Sequence, residues 1–227
     1  KLDYEKEIKK AIKQSKLKIS KHHIYDTEPT KVTKQNEKIT NSNKRKQNLV
    51  DEIKRIKDSD LDETKKERKI EKLKKKYSLG NLNFDSVIIS DFNESLKSVI
   101  TSLIYTDVSP KNKSIITFNQ WFDKSIFYEN TIKNLYYPSI NYKEFKKYNE
   151  NYLKKFDKYP NEISILIYDT LGLIYFVWKQ NGDINSVNDF SFKNKIQGKI
   201  GTFSFKDKKV TQDLDIYKTD KDKFIKF

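Results

Sequence analysis

A chain of 227 residues with 35% hydrophobic content and 13% aromatics has enough apolar surface to build a core, in one large domain or two small ones, which excludes a disordered chain. The formal charge of +15 comes almost wholly from Lys, with Arg only at 45, 55 and 68. Arg supplies the planar fork that grips phosphate and guanine, so its scarcity argues against nucleic acid, and a Lys-, Asn- and Ile-rich composition is what an AT-rich genome writes.

No Cys is present, so the chain carries no disulfide framework, thiol nucleophile or Cys-held zinc. The sequence opens at Lys1 in what reads as mid-helix and contains no Met, so the expectation is a piece of a longer protein with its start and any signal out of view.

Leu2 to Ser15 reads as a helix with Ile8, Ala11 and Ile12 on one face, and Leu17 to Tyr25 as a strand. His22 and His23, the two histidines, would point to opposite faces of that strand and share no metal. A turn at Asp26 to Thr30 with Pro29 starts a helix through Val32, Gln35 and Ile39. From about 41 to 78 the stripes Leu49, Ile53, Ile56 and Ile70, Leu73, Tyr77 flank Ser59 and Asp60, which predicts a charged helical hairpin. It reads first as a solvated insertion with few core residues, dispensable for folding; the functional reading is a basic arm for nucleic acid, an anionic surface or a partner protein.

The organising stretch is Asn83 to Asp123. Apolar runs at Val87 to Ile89 and Ile115 to Phe118 flank a helix marked by Leu96, Val99, Ile100, Leu103 and Ile104, which together predict a βαβ unit of a parallel sheet. Ligands of open α/β sheets bind at the carboxyl ends of strands, so the candidate ligand residues are Asp91, Phe92 and Asn93 after the first strand and Asn119, Gln120 and Trp121 after the second. They offer aromatic faces and amides but no cation, which suits a neutral polar ligand or a protein surface. The competing reading has Trp121 and Phe122 plugging the core.

Further on, Ile132 to Tyr137 reads as a strand ending at Pro138 and Ser139, and Tyr142 to Tyr159 as an aromatic-rich helix whose rings belong to the core. Glu162 to Lys179 reads as an apolar helix too short for a membrane span and expected to be buried, in part by a lobe outside this sequence. Ile200, Phe203 and Phe205, then Val210, Leu214, Ile216 and Tyr217, form the arms of a closing hairpin. No phosphate loop, dinucleotide fingerprint, GxSxG elbow or HExxH motif occurs, so no catalytic residue, metal or cofactor is assigned.

The segments FDSVIISDFNESLKSVITSLIYTDV, ITFNQWFD, FKKYNENYLKKFDKYPNEISILIYDTLGLIYFVW and IQGKIGTFSFKDKKVTQDLDIYKTDKDKF, in this order, resemble the second half of type I periplasmic binding proteins of the leucine/isoleucine/valine receptor class. The most specific pieces are Tyr168-Asp169 in its helix after a YP and the Gly198, Gly201 hairpin. Tyr105 to Val108 followed by NQWFD is similar to the penicillin-binding protein activators, outer-membrane lipoproteins of the same fold that stimulate peptidoglycan synthases.

The resemblance implies an α/β fold, the parallel-sheet lobe of a hinge protein with its hinge-proximal closing elements over 1–227, and the 41–78 hairpin as an insertion. It implies non-catalytic recognition in the periplasm or at the inner face of the outer membrane. The implied partners are a small polar ligand or a peptidoglycan synthase, with an ABC transporter permease for the receptor type, no nucleic acid, and no transmembrane segment in this stretch. The receptors place an aromatic where Phe92 stands and an acid where Asn119 to Trp121 stand; without that acid a buried ligand ammonium is costly, which counts against an amino-acid ligand. The alternative function is a Lys-rich module for nucleic acid or anionic surfaces.

Overall fold

The computed structural model describes residues 2–26, 28–109, 113–118, 122, 124–127, 132, 134–206 and 209–227. The chain is α/β and divides into two compact units, Lys1–Ile115 and Ile116–Phe227.

The first unit begins with α1 (Leu2–Gln14) and α2 (Pro29–Thr40), the latter carrying Pro in its first turn, where the missing N–H costs nothing. Between them the expected strand over Leu17 to Tyr25 does not form. Leu17, Ile19 and Ile24 are 64%, 42% and 72% exposed, so an alternation that imitates a strand has no face to bury.

The βαβ unit is present as β1 (Ser86–Ile89), α5 (Asn93–Tyr105) and β2 (Ser114–Thr117), with β1 beside β2. The Ser114 N–H donates to the Asp85 carbonyl at 3.2 Å, so the two strands start side by side, the parallel arrangement that a helical crossover gives. Leu96, Val99, Ile100 and Leu103 of α5 are buried at the spacing the sequence showed, each contributing about 2 kcal/mol. They share the core with α2, whose buried Asn36 donates from its amide to the Ser102 hydroxyl at 3.0 Å, so that neither polar group is orphaned.

The hairpin is α3 (Ser42–Lys57) and α4 (Glu63–Lys74), the second capped by Asp62, which accepts from the Lys65 N–H at 3.0 Å. Its base is tied into the first unit, with Ser42, Arg45 and Ser78 buried. The Arg45 guanidinium donates to the Gly80 carbonyl at 3.3 Å, the Thr106 carbonyl at 3.2 Å and the Asp107 carboxylate at 3.0 Å. Ser78 donates to the same carboxylate at 2.7 Å, and the Leu79 N–H donates to the Arg45 carbonyl at 2.9 Å. One Arg thus ties both feet of the hairpin to the end of α5.

The second unit holds β3 (Leu135–Ser139), α6 (Tyr142–Phe156), α7 (Glu162–Asn181), β4 (Ile196–Gln197), β5 (Thr202–Lys206), β6 (Lys209–Asp213), β7 (Asp215–Asp220) and β8 (Lys223–Lys226). Here β3, β7 and β8 lie in the order β3-β7-β8, antiparallel at both junctions, while β4-β5-β6 make a separate antiparallel sheet. β3 starts later than the sequence suggested and runs through Pro138, opposite Ile216. The closing hairpin is also redrawn: its second arm breaks at Leu214, so that β6 pairs with β5 and β7 leaves to join β3 and β8.

The core of this unit is aromatic. Phe122 is buried with its ring centroid 4.7 Å from Tyr142, 5.0 Å from Tyr217 and 5.3 Å from both Phe145 and Phe224, which fits the reading of Phe122 as a plug. The aromatics of α6 beyond Phe145 are not core as expected: Tyr148, Tyr152 and Phe156 follow one another in tilted ring contacts on a helix with no fully buried residue. α6 stops at Phe156, ahead of Pro160, because Asp157 takes a left-handed cap at φ 54°.

α7, expected to be buried, is covered along one stripe only. Ile165 and Val177 are buried and Asp169 and Leu173 half-buried, at fourfold spacing, while Ile163, Ile167, Tyr168, Leu171, Tyr175 and Trp178 are all more than half exposed. No helix among the described residues is long and apolar enough to cross a membrane.

Candidate functional site

At the carboxyl end of β1 the chain turns into α5 through Ser90, Asp91, Phe92 and Asn93. Asn93, the first helical residue, sits at φ 51°, a left-handed conformation that Asn tolerates better than most residues and that tips the loop out of the strand direction. The Asp91 carboxylate accepts from the Phe92 N–H at 2.9 Å, from the Ser95 hydroxyl at 2.5 Å and from the Tyr25 hydroxyl at 2.7 Å. Asp91 is therefore a positioning residue that pins the loop to the first turn of α5 and to the segment before α2. Burial and then the Asp91 carboxylate push the Tyr25 hydroxyl well above its ordinary pKa, so it stays a proton donor across the physiological range.

With Asp91 committed, the loop presents Phe92, 49% exposed, and the exposed Asn93 side chain to solvent. An aromatic face beside an amide is neutral and can both stack and hydrogen-bond. Of the six residues read from the sequence, the structure thus brings Asp91, Phe92 and Asn93 together in one loop, and Asn119, Gln120 and Trp121 lie outside the described residues. Tyr25 and Ser95 were missed. Ser95 was accessible as the fourth residue on from Asp91, whereas nothing in the sequence couples Tyr25 to a carboxylate 66 positions away.

The second unit joins the two most specific pieces of the resemblance. Asp169, on the covered stripe of α7, accepts from the Lys199 N–H at 2.7 Å and from the Ile200 N–H at 3.0 Å, one carboxylate oxygen for each. A Cβ on Gly198 would stand 2.6 Å from Asp169 Oδ2 and 2.6 Å from the Phe203 ring, so the close approach of helix and turn requires glycine there. Gly198 also closes the turn by donating from its N–H to the Gly201 carbonyl at 2.8 Å.

Among the described residues no group of three His, Cys, Asp or Glu side chains is placed to hold a metal, and the exposed His22 meets only Glu5, at 3.7 Å. No protein-family model, no curated protein and no solved structure matches this chain.

Proposed function

We propose that the chain is a periplasmic-binding-protein-like recognition module of the cell envelope, which binds a small neutral polar ligand through the β1–α5 loop and performs no chemistry on it. The observation that carries this reading is the pair of bonds from Lys199 and Ile200 to Asp169. It ties Tyr168-Asp169 to the Gly198 hairpin, two segments some thirty residues apart on which the resemblance to type I binding proteins rests. Phe92 supplies the aromatic that the receptors place after this strand, and its exposure leaves the ring free to stack on a ligand. Asn119, Gln120 and Trp121 are the sequence-based candidates for further contacts.

The test is a thermal-shift screen of neutral sugars, polyols, amides and small peptides, followed by calorimetry on any that stabilise the protein. A ligand whose binding disappears in Phe92→Ala upholds the reading. Stabilisation only by a peptidoglycan synthase shifts the reading to the activator type, and binding by neither class overturns it.

A further inference from the structure

Near the tip of the α3–α4 hairpin a cleft of about 500 Å3 opens between the two helices. Its apolar lining is Ile56, Leu61 and Leu73, and its basic lining is Arg55, Lys69, Lys72 and Lys76. Glu52 is its one acid, and it is already neutralised by the Arg55 guanidinium at 2.7 Å. Nearer the start of α4, Lys65 meets Asp62 at 2.9 Å and Lys66 meets Glu63 at 2.9 Å. Lys69 and Lys72, three apart on α4, and Lys76, just past its end, line this same cleft and have no ion pair among the described residues. Like charges so spaced repel, and α4 has no fully buried residue to offset the cost.

We propose that this cleft docks an acidic amphipathic helix of a partner protein. The partner's apolar stripe enters between α3 and α4 onto Ile56, Leu61 and Leu73, and its carboxylates meet Lys69, Lys72 and Lys76. The shape selects a helix, because two antiparallel helices leave a groove that a third completes. The chemistry disfavours nucleic acid: the cleft lining has no aromatic ring for stacking a base, and its one Arg is engaged by Glu52. A flat bilayer surface would leave a concave floor uncovered.

The probe is a labelled synthetic helix of about 18 residues, with Leu at helical spacing and Glu on its flanks, titrated against the whole chain by fluorescence anisotropy. Lys69→Glu/Lys72→Glu/Lys76→Glu is expected to weaken binding by about tenfold or more. The charge-matched control Lys54→Glu/Lys57→Glu/Lys74→Glu, outside the cleft, should change it by no more than about twofold. Leu73→Asn tests the floor independently, and a circular dichroism melt of each variant confirms that the helices persist. The proposal is overturned if the peptide does not bind, if a scrambled peptide of the same composition binds equally well, or if both charge reversals act alike. Tighter binding of duplex DNA or of phosphatidylglycerol vesicles with the same dependence on Lys69, Lys72 and Lys76 would overturn it too.

Discussion

Arg45 and Asp107, 62 positions apart, form an ion pair at 3.0 Å in which the guanidinium is only 7% exposed and also caps two backbone carbonyls. Removing one member of such a buried set strands the others, so Arg45→Ala is expected to cost roughly 3 kcal/mol. Arg45→Lys should recover little of this, because a single ammonium cannot reach three acceptors in a fork. Deletion of the whole 41–78 hairpin should unfold the first unit, whereas replacing only 50–74 by a short polar loop should leave its melting temperature within a few degrees. Equal melting of the two deletions would show that Arg45 carries no such weight.

Gly198→Ala should be as damaging as loss of Asp169 itself. The new methyl would sit 2.6 Å from the carboxylate oxygen that holds Ile200, so both charge-assisted bonds must yield. Each variant is expected to lose about 2 kcal/mol by denaturant titration, and the double variant little more than either alone, since both act on one contact. Additive losses would separate the glycine from the carboxylate.

The helices were legible from apolar residues at three- and fourfold spacing, and Pro29 marked the start of α2. The caps at Asp62, Asn141 and Asn161, which accept from first-turn N–H groups, emerge only in the structure. The βαβ unit was legible from its change of period alone. Several of the failures are cases in which a distant partner decides. Leu17 to Tyr25 has the alternation of a strand but no place in a sheet. Val210 to Tyr217 looks like one arm until Tyr217 is seen opposite Tyr137, 80 positions earlier, which draws β7 away from β6. The bond from Tyr25 to Asp91 was not legible because Tyr25 lies on a segment that the sequence had assigned to a strand.

Tyr137 is 1% exposed and its hydroxyl has no hydrogen-bond partner among the described residues, so the oxygen is a net cost to the fold. Tyr137→Phe removes that cost while keeping the ring in the aromatic cluster, and is expected to stabilise the second unit by about 1 kcal/mol. Burial raises the Tyr137 pKa far above its ordinary value of 10.0. Below that value the ring is neutral whether folded or unfolded. Above it only the unfolded ring ionises, so stability falls as pH rises, and Tyr137→Phe should flatten the alkaline limb of the pH–stability curve. A destabilised variant would reveal a partner for the hydroxyl.

α7 should bind a hydrophobic dye strongly, because Leu171, Tyr175 and Trp178 are 60%, 59% and 52% exposed on a nearly uncharged helix. Leu171→Gln/Tyr175→Gln is expected to suppress the fluorescence without lowering the melting temperature by more than a degree or so. If a first lobe preceding this chain covers the face, a longer protein containing that lobe will be dye-silent. Equal dye binding by both would count against that cover.

The β1–α5 loop separates two roles that a single substitution can tell apart. Phe92 is half exposed and, on the proposed reading, stacks on the ligand, so Phe92→Ala should weaken binding by about tenfold or more and leave the melting temperature unchanged within about a degree. Tyr25 acts through Asp91, to which its hydroxyl donates at 2.7 Å. Tyr25→Phe should therefore loosen the loop, with a loss of binding of a few fold and a stability cost of about 1 kcal/mol from the bond removed. Asp91→Asn leaves a donor amide facing two hydroxyls and one backbone N–H, and should cost more stability than Tyr25→Phe while weakening binding to a similar degree. Calorimetric titration and thermal melts of the three variants check this order. If Phe92→Ala lowers stability and binding together, the ring belongs to the fold; if Asp91→Asn abolishes binding at unchanged stability, the carboxylate touches the ligand and the positioning role assigned to it is wrong.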